Sequence, residues 1–226
     1  MTVKELETRI KKLEKKVGLL EDINEIKRLQ RAYGYYVEHM MRDEIADCFA
    51  DHKDVALHWL EGTWQGKEGV KRYFGVGTDR PQPPRDFLHQ VMQIAGVVDV
   101  ESNGRRGKGR WYAFGGISMA REGKVQASLV GGIYEIEYIK EKGKWKILTI
   151  RWIIPFSVRL PEGSWGEPEK LGEMIMTMKG QSEPDIPPRG DDPRFLSGYI
   201  FPFHYTHPVT GKKTSEDVRN ETLKTR

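Results

Sequence analysis

Between Phe87 and Phe156 the chain runs through four long stretches rich in β-branched and aromatic residues: FLHQVMQIAGVVDV, GRWYAFGGISMA, VQASLVGGIYEIEYI and KWKILTIRWIIPF. They are joined only by ESNGRRGKG, REGK and KEKGK, short segments that combine Gly with charged residues. Links of this length cannot carry a crossover helix, so each run is expected to lie antiparallel to the one before it. Gly115-Gly116 and Gly131-Gly132 fall inside the second and third runs, where they predict bulges or bends in a strongly curved sheet. Alternation puts Trp111 and Ala113 on one face and Tyr112 and Phe114 on the other, so only one of these pairs can face an interior.

Ahead of the runs the pattern is helical. Val3, Leu6, Ile10, Leu13, Val17 and Leu20 alternate spacings of three and four with Lys and Glu between them, the seam of a coiled coil. From Ile23 the register slips, and Ile26, Leu29, Tyr33, Val37 and Met40 form a wider face suited to packing on a sheet. The helix is expected to end among Tyr33, Tyr35, Tyr36, Glu38 and His39. RDEIADCFADHKD reads as a second short helix, Val55 to Glu61 as a strand before Gly62, and QGKEGVKRYFG as a third helix carrying Val70, Tyr73 and Phe74 inward and stopping at Gly75. TDRPQPPRD is too rich in proline for helix or central strand. Helices first and a curved antiparallel sheet afterwards make an α+β plan. The expected organisation is a helical extension over 1–21, one α+β domain over 22–157, and an irregular C-terminal extension over 158–226. Within that extension, GEPEKLGEMIMTMKG is read as one short helix, FLSGYIFPFHYTHP as an aromatic segment packed on the domain or on a neighbouring subunit, and VTGKKTSEDVRNETLKTR as partly disordered.

Charge narrows the function classes. With 37 basic and 33 acidic residues the net charge is only +4, and the basic groups are interspersed with acidic ones as in KELETRIKKLEKK, which argues against a nucleic-acid surface. No apolar run approaches the ~18 residues that cross a bilayer, and the charged start carries no secretory pattern, so a cytoplasmic protein is expected. Cys48 is the single cysteine, which rules out an intramolecular disulfide and a multi-cysteine metal site. His204 and His207 have a spacing open to a metal but no acidic or Cys cluster beside them in sequence, so no metal is expected.

The ordered set DINEIKRLQRAYGYYVEH, DEIADCFADHKDVALHW, WQGKEGVKRYF, FLHQVM, GRWYAF and GIYEIEYIKEKGKWKILTIRW resembles the nuclear transport factor 2-like superfamily, in particular its SnoaL-like branch, over about residues 22–157. The resemblance implies a cone-shaped α+β fold enclosing an apolar pocket, oligomers (dimers or trimers) built through the sheet, and cofactor-independent acid–base chemistry such as dehydration, isomerisation, cyclisation or loss of a small carbonyl fragment. Dehydratases of this group carry a Tyr on the first helix, an acidic residue five positions later, and a His opening the strand after the third helix. Tyr33, Glu38 and His89 match these positions, with Glu in place of the more usual Asp. GRWYAFGG lacks the further acidic residue that some dehydratases carry.

Those three residue types suit elimination next to a carbonyl or a phenol. A carboxylate in an apolar site is a stronger base, an imidazole relays the proton, and a phenol steadies a developing oxyanion. Five helical residues turn about 140°, so Tyr33 and Glu38 share a pocket only if the helix ends near Glu38. Tyr35 and His39, four apart, form the competing same-face pair. Trp59, Trp111, Tyr134 and Trp152 on the strands are candidate walls for an aromatic substrate, lignin-derived or polyketide-like. The expectation is a homo-oligomeric, cofactor-independent lyase acting on an aromatic small molecule. An isomerase or cyclase, or a non-catalytic small-molecule-binding oligomer, are its alternatives.

Overall fold

The computed structural model describes residues 1–59, 62–78, 83, 87–121, 124–161, 200, 203 and 206–224. Helix α1 (Val3–Glu38) is continuous across the register slip. It starts in a capping box, with Thr2 Oγ1 accepting from the Glu5 N–H and the Glu5 carboxylate accepting from the Thr2 N–H, so both orphan donors are satisfied. Its first half stands free: Val3, Ile10, Leu13, Val17 and Leu20 are all more than half exposed and Leu6 nearly so. Its second half is core, with Ile26, Leu29, Ala32, Tyr33 and Tyr36 buried. The changeover is fixed at Asp22, whose carboxylate accepts from Lys140 Nζ at 2.5 Å and Trp145 Nε1 at 2.9 Å.

After α1 the backbone turns through Met40 in the left-handed region (φ 50°) into the short α2 (Arg42–Asp47). Strands β1 (Ala56–Trp59) and β2 (Gly62–Gln65) form a hairpin. The second of these was not expected from the sequence, because four residues around a single Trp carry no readable alternation. Helix α3 (Gly66–Phe74) ends as expected at Gly75, whose φ of 73° is open to glycine.

The four long runs become β3 (Leu88–Val100), β4 (Arg106–Arg121), β5 (Lys124–Glu141) and β6 (Lys144–Arg159), each antiparallel to the next. The sheet order is β2-β1-β6-β5-β4-β3. It is mixed rather than wholly antiparallel: β1 lies parallel to β6, a pairing reached through the whole intervening α3–β5 segment. The bulges fall only partly where the glycines suggest. One lies at Gly131/Ile133 on β5, whereas Gly115 and Gly116 pair regularly with Val91 and Gln90. Gly115 serves close approach instead, since a Cβ there would sit 1.7 Å from the Gln90 carbonyl oxygen. A second register shift in the β5–β6 pairing falls at Glu137/Tyr138, and a third lies on β3 between Ile94 and Val97, where it positions Gly96 beneath the Trp111 ring.

Trp111 and Ala113 face inward and are buried, while Tyr112 and Phe114 lie on the exposed face. A polar ladder ties α1 to the sheet: Trp111 Nε1 donates to the Tyr138 hydroxyl (3.1 Å), which donates to Gln30 Oε1 (2.7 Å), and Gln30 Nε2 donates to Gln93 (2.5 Å). Every buried polar group in this ladder is thereby paired.

The last segment corrects the sequence reading. Instead of partial disorder, residues 206–224 make turns and a helix, α4 (Glu216–Lys224), that dock on the α1–α2 corner. His207 stacks on Tyr36 (5.2 Å between ring centres), and one of its ring nitrogens lies 2.9 Å from the Glu44 carbonyl. Ser215 donates twice to the Glu44 carboxylate, and the Arg219 guanidinium donates to the carbonyls of His39 (2.9 Å) and Met40 (3.1 Å). Phe203, from the aromatic segment, packs on Tyr35 and Tyr36 of the same chain. The short helix expected over GEPEKLGEMIMTMKG and the proline-rich stretches lie outside the described residues.

Candidate active-site cavity

Between the second half of α1 and the inner face of the sheet is a cavity of about 330 Å³, the small end of the usual ligand-pocket range. Tyr33 and Val37, four residues apart on α1, present one helical face to it, and the corner after the helix adds Met40 and Arg42. Trp59 closes it from β1, Tyr73 and Phe74 from α3, His89 from the start of β3, and Tyr134 and Trp152 from the centre of the sheet.

The aromatic side chains form a connected wall. Tyr134 and Trp152 are register partners on β5 and β6, and their rings stack at 5.2 Å with 27° between planes. Trp59 meets Trp152 edge-on at 5.9 Å and leans on Tyr73 at 5.7 Å. Such edge and offset contacts suit the ring quadrupoles and hold the wall rigid. Gly132 leaves room for the Trp152 indole, since a Cβ there would come within 2.6 Å of Nε1.

Three nitrogens of this lining, His89 Nδ1, Trp59 Nε1 and Trp152 Nε1, are enclosed without a hydrogen-bond partner among the described residues. An unpaired buried polar atom costs free energy, and a polar ligand atom in the cavity would relieve it. His89 as a residue is only half-buried, but its ring is enclosed and Phe87 lies flat against it at 6.5 Å. Burial pushes the His89 pKa below its ordinary value, so its imidazole is neutral at neutral pH and able to accept a proton. Burial drives the Tyr33 hydroxyl well above 10, which keeps it a protonated hydrogen-bond donor. Tyr134 is shifted upward by the same cause.

Of the residues singled out in the sequence, the structure brings Tyr33, His89, Trp59, Tyr134 and Trp152 together and leaves out two. Glu38, the last residue of α1, does not line the cavity; its carboxylate accepts from Gln90 Nε2 at 3.3 Å. Gln90 and His89 are successive strand residues and project to opposite faces, so a carboxylate held by Gln90 is drawn away from His89. Burial raises the Glu38 pKa and the Gln90 hydrogen bond partly offsets that. Trp111 faces inward, but its indole lies over Gly96 and Gly109 and its N–H goes to Tyr138, which makes it core.

The competing pair is not at the cavity either. Tyr35 is half exposed against Phe203, and His39 is held at about 4 by burial and by Arg219. Sequence reasoning missed Arg42, Met40 and Val37 as lining residues and took Tyr73 and Phe74 for plain core. The one available signal for Arg42 was its place at the break between two helices. Among the described residues no three His, Cys, Asp or Glu side chains converge on a possible metal position, and His204 lies outside them. His207 is committed to Glu44 and Tyr36.

A long helix across a bulged mixed sheet, enclosing a small aromatic-walled cavity, defines a pocket protein of the NTF2-like kind. The chain belongs to the SnoaL-like domain family, whose profile matches residues 19–151. The fold is shared at low identity with solved structures. A hexachlorocyclohexane dehydrochlorinase (LinA-type3) from Novosphingobium barchaimii LL02 superposes with a TM-score of 0.53 at 17% identity, covering 68% of this chain and 99% of that one. A provisionally assigned scytalone dehydratase from Novosphingobium aromaticivorans does so with 0.52 at 16% identity, covering 67% and 99%. A provisionally assigned aromatic ring hydroxylase from the same species gives 0.51 at 19% identity, covering 62% and 94%. Comparison with curated proteins found no match. No helix among the described residues is long and apolar enough to cross a membrane.

Proposed function

We propose that this protein is a cofactor-independent lyase that eliminates water or a small carbonyl fragment such as formaldehyde from a compact aromatic molecule held in the cavity. The observation that carries the reading is the meeting of an unpartnered, neutral His89 with the Tyr33 hydroxyl inside a wall of Trp59, Tyr134 and Trp152. His89 is the base. For loss of water it takes a proton from a phenol, or from the carbon beside a carbonyl, and the freed electron pair expels hydroxide. For loss of formaldehyde it takes the proton of a primary alcohol, and the C–C bond breaks as the C=O forms. The bonding pair passes to the carbon beside the carbonyl as an enolate, which the imidazolium then protonates. For loss of water, the imidazolium returns its proton to the departing hydroxide, so the enzyme ends as it began. Tyr33 donates a hydrogen bond to the oxygen on which negative charge develops, and its raised pKa keeps that proton in place.

The stacked wall sandwiches a planar ring, and the 330 Å³ volume suits one or two rings. Arg42 at the corner brings positive charge to the same cavity, which favours substrates carrying a carboxylate or phenolate. Glu38 makes no contact with the reacting atoms. Two of the structural relatives bear names that denote loss of hydrogen chloride and loss of water, reactions of the same elimination type.

The test is incubation of the purified protein with a panel of hydroxylated phenylpropanoid and β-hydroxy aryl ketone compounds, read by product mass. A product lighter by water or formaldehyde, absent with His89→Ala, supports the lyase. A product of unchanged mass identifies an isomerase or cyclase working with the same base. Saturable binding without any product leaves a carrier.

A further inference from the structure

We propose that residues 3–20 are a docking surface for a second copy of this chain, pairing in parallel and in register as a two-stranded coiled coil whose direction is set by its charges. The apolar seam of Val3, Leu6, Ile10, Leu13, Val17 and Leu20 is helical throughout, and among the described residues nothing covers it. Six exposed apolar side chains on one stripe are a cost in water that a matching stripe removes. The seam stops where α1 meets the sheet, because the next helical turn is committed to Lys140 and Trp145 through Asp22. The surface is therefore an extension separate from the cavity.

Composition identifies the occupant. In heptad notation Val3, Ile10 and Val17 are the a positions and Leu6, Leu13 and Leu20 the d positions. β-Branched a with Leu at d is the combination that selects two parallel strands. The flanking charges agree. The e positions are Glu7, Glu14 and Glu21, and the charged g positions are Arg9 and Lys16. In a parallel pair a g residue faces the e residue five positions further along the partner, which joins Arg9 to a Glu14 and Lys16 to a Glu21, each twice by symmetry. In an antiparallel pair e faces e and g faces g, which sets Glu against Glu and Lys or Arg against Arg or Lys. The same sequence thus attracts its copy in one direction and repels it in the other.

Length is the weak point of a coil this short, because isolated helices of under ~15 residues are marginal in water. Here that cost is removed. The second half of α1 is already held in the core, so the exposed half grows from a formed helix and only association remains. Parallel pairing brings both domains to the same end of the coil.

Sedimentation equilibrium of the full chain tests this. The wild type is expected at twice its 26.1 kDa monomer mass. Two charge variants, Glu7→Lys/Glu14→Lys/Glu21→Lys and Arg9→Glu/Lys16→Glu, each place like charges at every charged e–g contact of the parallel homodimer. Each is expected to raise the dimer Kd about tenfold or more, and an equimolar mixture of the two is expected to recover the wild-type value. Oxidised Leu6→Cys is expected to cross-link to itself, since only a parallel in-register pair brings identical d positions together. A monomeric wild type, a trimer, a dimer indifferent to both charge variants, or failure of Leu6→Cys to cross-link within an intact dimer would each overturn the proposal.

Discussion

The two halves of α1 carry the same kind of residues and meet opposite fates. In the first, Ile10, Leu13, Val17 and Leu20 repeat every three or four residues and remain in water; in the second, Ile26, Leu29 and Tyr33 do the same and are buried. Local helix propensity does not separate them, since the helix runs unbroken through both. The period does. A strict heptad is a stripe narrow enough for another helix, whereas the slip at Ile23 widens the face to cover a sheet and then brings Tyr33 to the rim of a cavity. One continuous helix therefore joins a surface to a site, and substitutions along it should separate stability, association and chemistry.

The sharpest separation is between stability and none. Ile26→Ala in the core half should cost about 2–5 kcal/mol in urea denaturation. Ile10→Ala, made at concentrations where the protein is monomeric, should change stability by less than ~0.5 kcal/mol because nothing is packed on it. Equal losses at the two sites would dissolve the contrast.

A second contrast lies within the buried half. His89→Ala should lower turnover by roughly 10²-fold or more with the melting temperature little changed, while Glu38→Gln should leave turnover within a few-fold of wild type. Turnover lost in Glu38→Gln and kept in His89→Ala would reverse the assignment made from the cavity lining.

The C-terminal segment extends the comparison to a region that reaches α1 from outside. Arg219→Ala removes two hydrogen bonds to the His39 and Met40 carbonyls at the corner carrying Met40 and Arg42. A loss of about 1–3 kcal/mol is expected, with a rise in KM larger than any fall in kcat. A variant with wild-type KM would show that this corner is positioned without the tail.

The smallest effect is one of pH. Burial lowers the pKa of His39, to about 4, and those of His89 and His207 below the ordinary 6.5. At pH above 6.5 these groups are neutral whether the chain is folded or not. As pH falls below 6.5 the unfolded chain binds protons that the folded one does not, so this contribution to stability declines until the folded His39 titrates near 4. The urea midpoint should fall across that window, and less steeply in His39→Gln. The acid limb of any activity profile governed by His89 should likewise lie below 6.5, since the base stays neutral to lower pH.

Legibility from sequence followed the length of the signal. The four long strands, the α3 stop at Gly75 and the continuous α1 were readable because period and turn chemistry act over many residues. The β1–β6 pairing and β2 were not, because four-residue strands carry almost no pattern and parallel partners lie far apart in sequence. At the site, Tyr33, His89, Trp59, Tyr134 and Trp152 could be placed by resemblance and alternation. Glu38 could not, since its direction depends on where α1 stops relative to the edge strand and on a hydrogen bond to Gln90. Trp111 was misread because alternation assigns a face but not which neighbour on that face the indole covers; that was decided by Gly96 and Gly109. The docked tail was hidden by its polar composition: Glu44, Arg219 and Ser215 attach by hydrogen bonds, which leave no apolar periodicity.

The central claim is that the half-helix holding Tyr33 closes a cavity built for a planar, oxygen-bearing ring beside a neutral imidazole. Titration of the wild type with 4-nitrophenol, followed by quenching of tryptophan fluorescence, addresses it directly because Trp59 and Trp152 form the wall. The account predicts saturable, one-site quenching that is weakened at least tenfold in Trp59→Ala and left intact in Trp111→Phe. Quenching that is linear with no saturation, or that is lost with Trp111 and kept without Trp59, would contradict it.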